Sequence, residues 1–150
     1  MKVILLLSLM TTLTTSCASA ATVEENIKPF SNDGCSLFPD GSFKQKDLWC
    51  NCCVVHDVAY WQGGSDAQRL AADKKLRSCV LKKTKNPVLA ELMYQGVRVG
   101  GSSMIPSWYR WGYGWEYGVG DKALTKQQQQ QVDQELANLA VKPELLVCPK

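Results

Sequence analysis

The chain has 150 residues, 45% of them hydrophobic and 21% charged, with a formal net charge of +3. That balance excludes a disordered tail, a collagen-like fibre and a polybasic nucleic-acid arm, and it leaves enough apolar residues for one small core. The informative count is seven cysteines, whose fate depends on the redox compartment.

Met1-Lys2 is a short positive start, an apolar run follows over 3–10, and Ala18-Ser19-Ala20 forms a small-residue cleavage pattern. Residues 1–20 therefore read as an export signal, with a single domain over 21–150. The apolar run falls well short of the roughly 20 residues that span a bilayer. Cleavage after Ala20 leaves Cys35, Cys50, Cys52, Cys53, Cys79 and Cys148. An even number of cysteines in an exported chain favours disulfides. The expected location is secreted or periplasmic. Lipid attachment at Cys17 ranks second, because Thr14 stands where a lipidation signal has an aliphatic residue.

Residues 21–30 read as an arm or short helix ending near Pro29, and 31–42 as turns punctuated by Asn32-Asp33-Gly34 and Pro39-Asp40-Gly41. Residues 47–61 have helical spacing without Gly or Pro, and Gly63-Gly64 ends that helix. Ser65 and Gln68 form a capping-box pattern, with Asp66 at the positive end of the helix dipole. Leu70, Asp73, Leu76 and Val80 then recur at helical intervals until Asn86-Pro87. The two-glycine link makes these helices antiparallel neighbours. A third helix is expected over 87–99 and a terminal one over 125–141. Between them, 108–117 concentrates three Trp, three Tyr and two Gly, which suits a membrane interface or a small core equally. The lysines and arginine over 74–85 read as a solvated face with weak attraction to anionic lipid. Nothing points to nucleic-acid recognition.

The one histidine, His56, stands in Cys52-Cys53-Val54-Val55-His56-Asp57-Val58-Ala59-Tyr60. On a helix Cys52, His56 and Tyr60 share a face, while Asp57 is rotated by about 100° toward a different partner. A zinc site built on Cys50, Cys52, Cys53 and His56 is a weaker alternative, because an exported chain favours disulfides and the spacing fits no standard finger.

Here the sequence resembles the secreted phospholipase A2 superfamily, whose active-site helix reads C-C-x-x-H-D-x-C-Y. The match falls on Cys52, Cys53, His56, Asp57 and Tyr60, with Asp73 and Cys79 at the spacing of the family's second long helix. Cys35 lies 21 residues before His56, where the family has a cysteine in its calcium loop. Ala59 and Ala72 occupy both ends of a bridge usual in the family, so the two half-cystines are absent together. The resemblance implies a mostly α, disulfide-stapled fold with two antiparallel core helices, and the pairs Cys35–Cys53 and Cys52–Cys79, and with them Cys50–Cys148. It implies a calcium-dependent hydrolase acting on a phospholipid membrane surface and cleaving the sn-2 ester. His56 would be the base, Asp73 its orienting partner steadied by Tyr60, and Asp57 with Gly34 and Ser36 the calcium ligands. The loop departs from the family's glycine-rich pattern at Ser36-Leu37-Phe38, so Asp33 or Asp40 are further candidate carboxylates. A catalytically silent membrane- or protein-binding module of the same fold is the alternative.

Overall fold

Side-chain caps set where three helices begin. Ser65 and Gln68 form the expected capping box ahead of the second helix, and Thr125 and Gln128 form another ahead of the last. Asn86 accepts from the Leu89 amide, with Pro87 at the first helical position, where its missing N–H leaves no bond unmade. In the computed structural model, which describes residues 26–119 and 121–149, these helices are α2 (Asp66–Thr84), α3 (Pro87–Gly100) and α4 (Lys126–Ala140). They follow α1 (Cys50–Gln62), and a 3-10 turn, Pro143–Leu146, follows α4. Among the described residues all regular structure is helical, and no helix is long and apolar enough to cross a membrane. The expected export signal and Cys17 lie outside the described residues.

One expected boundary differs by three residues. The first helix begins at Cys50, not at 47, because the amides of Leu48 and Trp49 are turned back to the carbonyls of Gln45 and Asp40. Residues 26–30 form an arm without helix. Its Lys28 amide donates to the Gly114 carbonyl at 2.7 Å and its Ile27 amide to the Gln131 side chain at 2.8 Å.

α1 lacks a side-chain cap at its start. Its first turn is held instead by Cys35–Cys53, Cys50–Cys148 and Cys52–Cys79, the three pairs the resemblance implies. No thiolate remains among these six for zinc. Bonds between these cysteines persist in an oxidising compartment, which agrees with an exported chain.

Contacts Cys52–Cys79, His56–Asp73 and Tyr60–Arg69 run in opposite senses along α1 and α2, so the pair is antiparallel. The same test on Arg69–Arg98 and Arg77–Glu91 makes α2 and α3 antiparallel. One apolar cluster, with Trp49, Leu76, Val80 and Met93, fills the space among these three helices around Cys52 and Cys53. A second, with Phe30, Trp61, Trp115, Val132 and Leu139, joins α1 to α4 and the N-terminal arm.

The aromatic segment 108–117 resolves mostly as core. Its Gly112 and Gly114 amides and the Trp115 indole N–H take the carbonyls of Tyr60, Trp61 and Gln62, at 2.7, 3.1 and 2.8 Å. These are last-turn carbonyls that a helix end leaves without partners. The approach needs glycine: Gly63 has φ +70°, and a Cβ there would lie 2.9 Å from the Gly112 Cα. Trp111 and Trp115 are buried, whereas Trp108 and Tyr117 are exposed.

Candidate active site

His56 sits in the middle of α1 and is buried, with 7% of its surface exposed. Its Nε2 lies 2.9 Å from Oδ1 of Asp73, which is fully buried on α2. The Tyr60 hydroxyl, one turn along α1, donates to the same oxygen at 2.8 Å. The structure thus brings together the three residues that the sequence placed on facing helices. Since Asp73 accepts, Nε2 carries the proton and Nδ1 is left bare.

Two arginines that the sequence reading did not assign complete the cluster. Arg98, on the last turn of α3, donates from Nη1 to Asp73 Oδ2 at 2.6 Å. Arg69, buried one turn before Asp73 on α2, holds the Arg98 carbonyl at 2.6 Å and lies 3.5 Å from the Tyr60 hydroxyl. Burial pushes the Asp73 carboxyl up, but the hydrogen bonds from His56, Arg98 and Tyr60 outweigh it and hold it below the usual range. Burial lowers the His56 imidazole, against the pull of Asp73, and so favours the neutral ring. Burial likewise raises the Tyr60 phenol, which remains a donor.

A cavity of about 340 Å³ opens over His56. Asp57, Gly34 and Ser36 line it with His56, and Leu37, Leu92, Met93 and Val97 give it apolar walls. Gly34 and Ser36, the two expected loop ligands, both adopt left-handed backbone, with φ +75° and +55°. Glycine adopts that conformation readily and serine rarely does. The loop carboxylates hold the loop itself. Asp40 accepts from the Cys35 amide at 2.8 Å, and Asp33 accepts from the Ser36 hydroxyl at 2.9 Å and the Trp108 indole at 3.0 Å.

Asp57 is the unsatisfied group of this cavity. Its Oδ2 is buried without a hydrogen-bond partner. Burial, with the nearby charges of Asp33 and Asp40, pushes its carboxyl up to about 8, against a backbone hydrogen bond from Asp33. A buried carboxylate oxygen facing further negative charge is a place where a hard cation fits, because the ion supplies the missing partner and lowers the cost of ionisation. Among the described residues no three His, Cys, Asp or Glu side chains form a group that could hold a metal ion. Of the expected ligands, Asp57, Gly34 and Ser36 line the same cavity and would hold such a cation.

Ala59 packs on the small cluster that contains buried Ala72, and both line a groove of about 380 Å³ between α1 and α2.

Neither the protein-family models, nor the curated proteins, nor the solved structures compared with this chain gave a match.

Proposed function

We propose that this protein is an exported hydrolase of phospholipase A2 type, which cleaves the sn-2 ester of glycerophospholipids at a membrane surface with calcium as cofactor. One observation carries the reading: an imidazole bonded to a buried carboxylate shares an apolar-walled cavity with a second acidic side chain that has an unpartnered oxygen. The agreement of all three disulfides with the pairing implied by the resemblance supports the same fold family.

The chemistry follows from the residues. Nε2–H of His56 is committed to Asp73, so Nδ1 is the nitrogen that takes a proton from a water in the cavity as that water attacks the ester carbonyl. Asp73 fixes the tautomer and stabilises the imidazolium that forms. The same ring then returns the proton to the leaving alcohol oxygen, giving a fatty acid and a lysophospholipid. Leu37, Leu92 and Met93 supply an apolar surface for the acyl chain. Asp57, with Gly34 and Ser36, would hold calcium. A bound calcium supplies positive charge for the oxygen on which negative charge develops.

The test is fatty-acid release from phospholipid vesicles by the purified, oxidised protein during calcium titration. Release is expected to rise with calcium and to fall to the blank with chelator. A folded, oxidised protein that releases nothing from several lipid classes would overturn the hydrolase and leave the binding module.

Asp57 has its own pH signature. Its carboxyl is raised from 3.8 to about 8 in the folded chain, so the native state keeps a proton that the unfolded state loses as pH rises through about 4. Its stabilising contribution is full below that pH and is lost progressively up to about 8. Asp57→Asn, neutral throughout, is therefore expected to gain in melting temperature relative to the parent from about pH 4 to about pH 8, then to level off. Calcium should narrow that gap in the parent and leave the variant unmoved. Parallel melting curves of the two proteins would refute the assignment.

A further inference from the structure

The Asp73 carboxylate has two oxygens, and the structure divides them. Oδ1 receives His56 Nε2 and the Tyr60 hydroxyl, at 2.9 and 2.8 Å, whereas Oδ2 receives Arg98 Nη1 at 2.6 Å. Arg98 is itself splinted. Its Nη2 lies 3.5 Å from Asp66 Oδ1, and its backbone carbonyl is held by Arg69. The two aspartates and two arginines sum to zero charge, so the buried carboxylate is compensated without a proton from His56.

A helix tie alone does not call for this arrangement. α2 and α3 are already joined by Arg77 and Glu91 at 2.6 Å on the exposed side, where an ion pair has little desolvation cost to overcome. Arg98 instead reaches a carboxylate that is fully buried and shared with the histidine.

We propose that Arg98 is a positioning residue for the His56–Asp73 pair: its charged bond to Oδ2 fixes the rotation of the carboxylate, so that Oδ1 accepts both Nε2–H and the Tyr60 hydroxyl. Without it the carboxylate is free to turn about its Cβ–Cγ bond and lose one of the two donors. The α3 wall that carries Met93 and Val97 into the cavity also carries Arg98. Wall and catalytic pair are thereby held by one element. The consequence for catalysis rests on the hydrolase reading above, whereas the geometric claim stands apart from it.

The test therefore has two arms. In the first, ¹⁵N NMR of His56, the only histidine, reports which ring nitrogen bears the proton at about pH 8, above the ordinary imidazole range. The parent and Arg98→Lys are expected to hold the Nε2–H form, and Arg98→Met to show a mixture with Nδ1–H. An unchanged Nε2–H form in a folded, fully oxidised Arg98→Met protein overturns the proposal, whatever the activity does. If Arg98→Met does not fold, Arg98→Gln takes its place under the same criterion. In the second arm, hydrolysis by Arg98→Met is expected to lose about 10–100-fold in kcat at nearly constant KM, with much of the loss recovered in Arg98→Lys. A loss confined to KM, or no recovery in Arg98→Lys despite native folding, counts against positioning. A parent without hydrolysis refutes the enzyme reading, and the NMR arm then decides the clamp alone.

Discussion

His56→Gln is expected to lose about 10²–10⁴-fold in hydrolysis, the usual contribution of a general base, while remaining folded. Glutamine can still present an N–H toward Asp73 but has no nitrogen that accepts a proton at neutral pH. Asp73 keeps Tyr60 and Arg98 as donors, so removal of the imidazole does not leave the buried carboxylate bare. The decisive measurement pairs initial rates on phospholipid vesicles with a melting curve for the same preparation. A variant that retains a rate within about threefold of the parent would remove His56 as the base and leave the base contribution unassigned. A variant that fails to melt cooperatively would instead give the ring a mainly structural role.

The part of this site that was legible in the sequence is local. Four-residue spacing puts Cys52, His56 and Tyr60 on one face of α1, and the capping box at Ser65 sets the register in which α2 presents Asp73. Disulfide pairing was available only through the resemblance, because six cysteines permit many pairings. Arg98 was not legible: it reaches Asp73 across 25 residues of sequence, and helical periodicity says nothing about which helix packs where. Arg69 and Asp73 lie one turn apart on the same α2 stripe as Leu76 and Val80, and all four are buried. A carboxylate on an apolar stripe requires charged or hydrogen-bonding partners inside the protein. The aromatic segment failed for a different reason. Its composition speaks of burial or membrane contact, but its structural task is to satisfy the last carbonyls of α1. That task depends on a close approach between Gly63 and Gly112 that no spacing rule encodes.

Asp73→Asn is expected to fail on both counts, activity and stability. The side chain keeps its shape but exchanges a charge and two acceptor oxygens for one oxygen and an NH₂ group. Three donors converge on this site, from His56, Tyr60 and Arg98. Arginine cannot give up its proton, so the favoured arrangement turns the amide oxygen to Arg98 and the NH₂ to His56. The ring must then accept at Nε2, which moves its own proton to Nδ1, the nitrogen required as base. A base held in the wrong tautomer loses on the order of 10⁴ in kcat in the serine-protease triad, and a loss of about 10³-fold or more is expected here on the same argument. Stability falls as well. The Arg98 guanidinium, half-buried, loses its buried counter-charge and keeps only the exposed Asp66, at a cost of about 1–3 kcal/mol. Denaturant unfolding measures this directly as a lower midpoint with an unchanged slope. His56→Gln and Asp73→Asn thus differ in kind: one removes a reacting group from an intact frame, and the other removes the charge around which α1, α2 and α3 meet. If both proteins were equally stable, Asp73 would be a passive orienter and the three-helix junction would owe its cohesion to the disulfides and apolar packing alone.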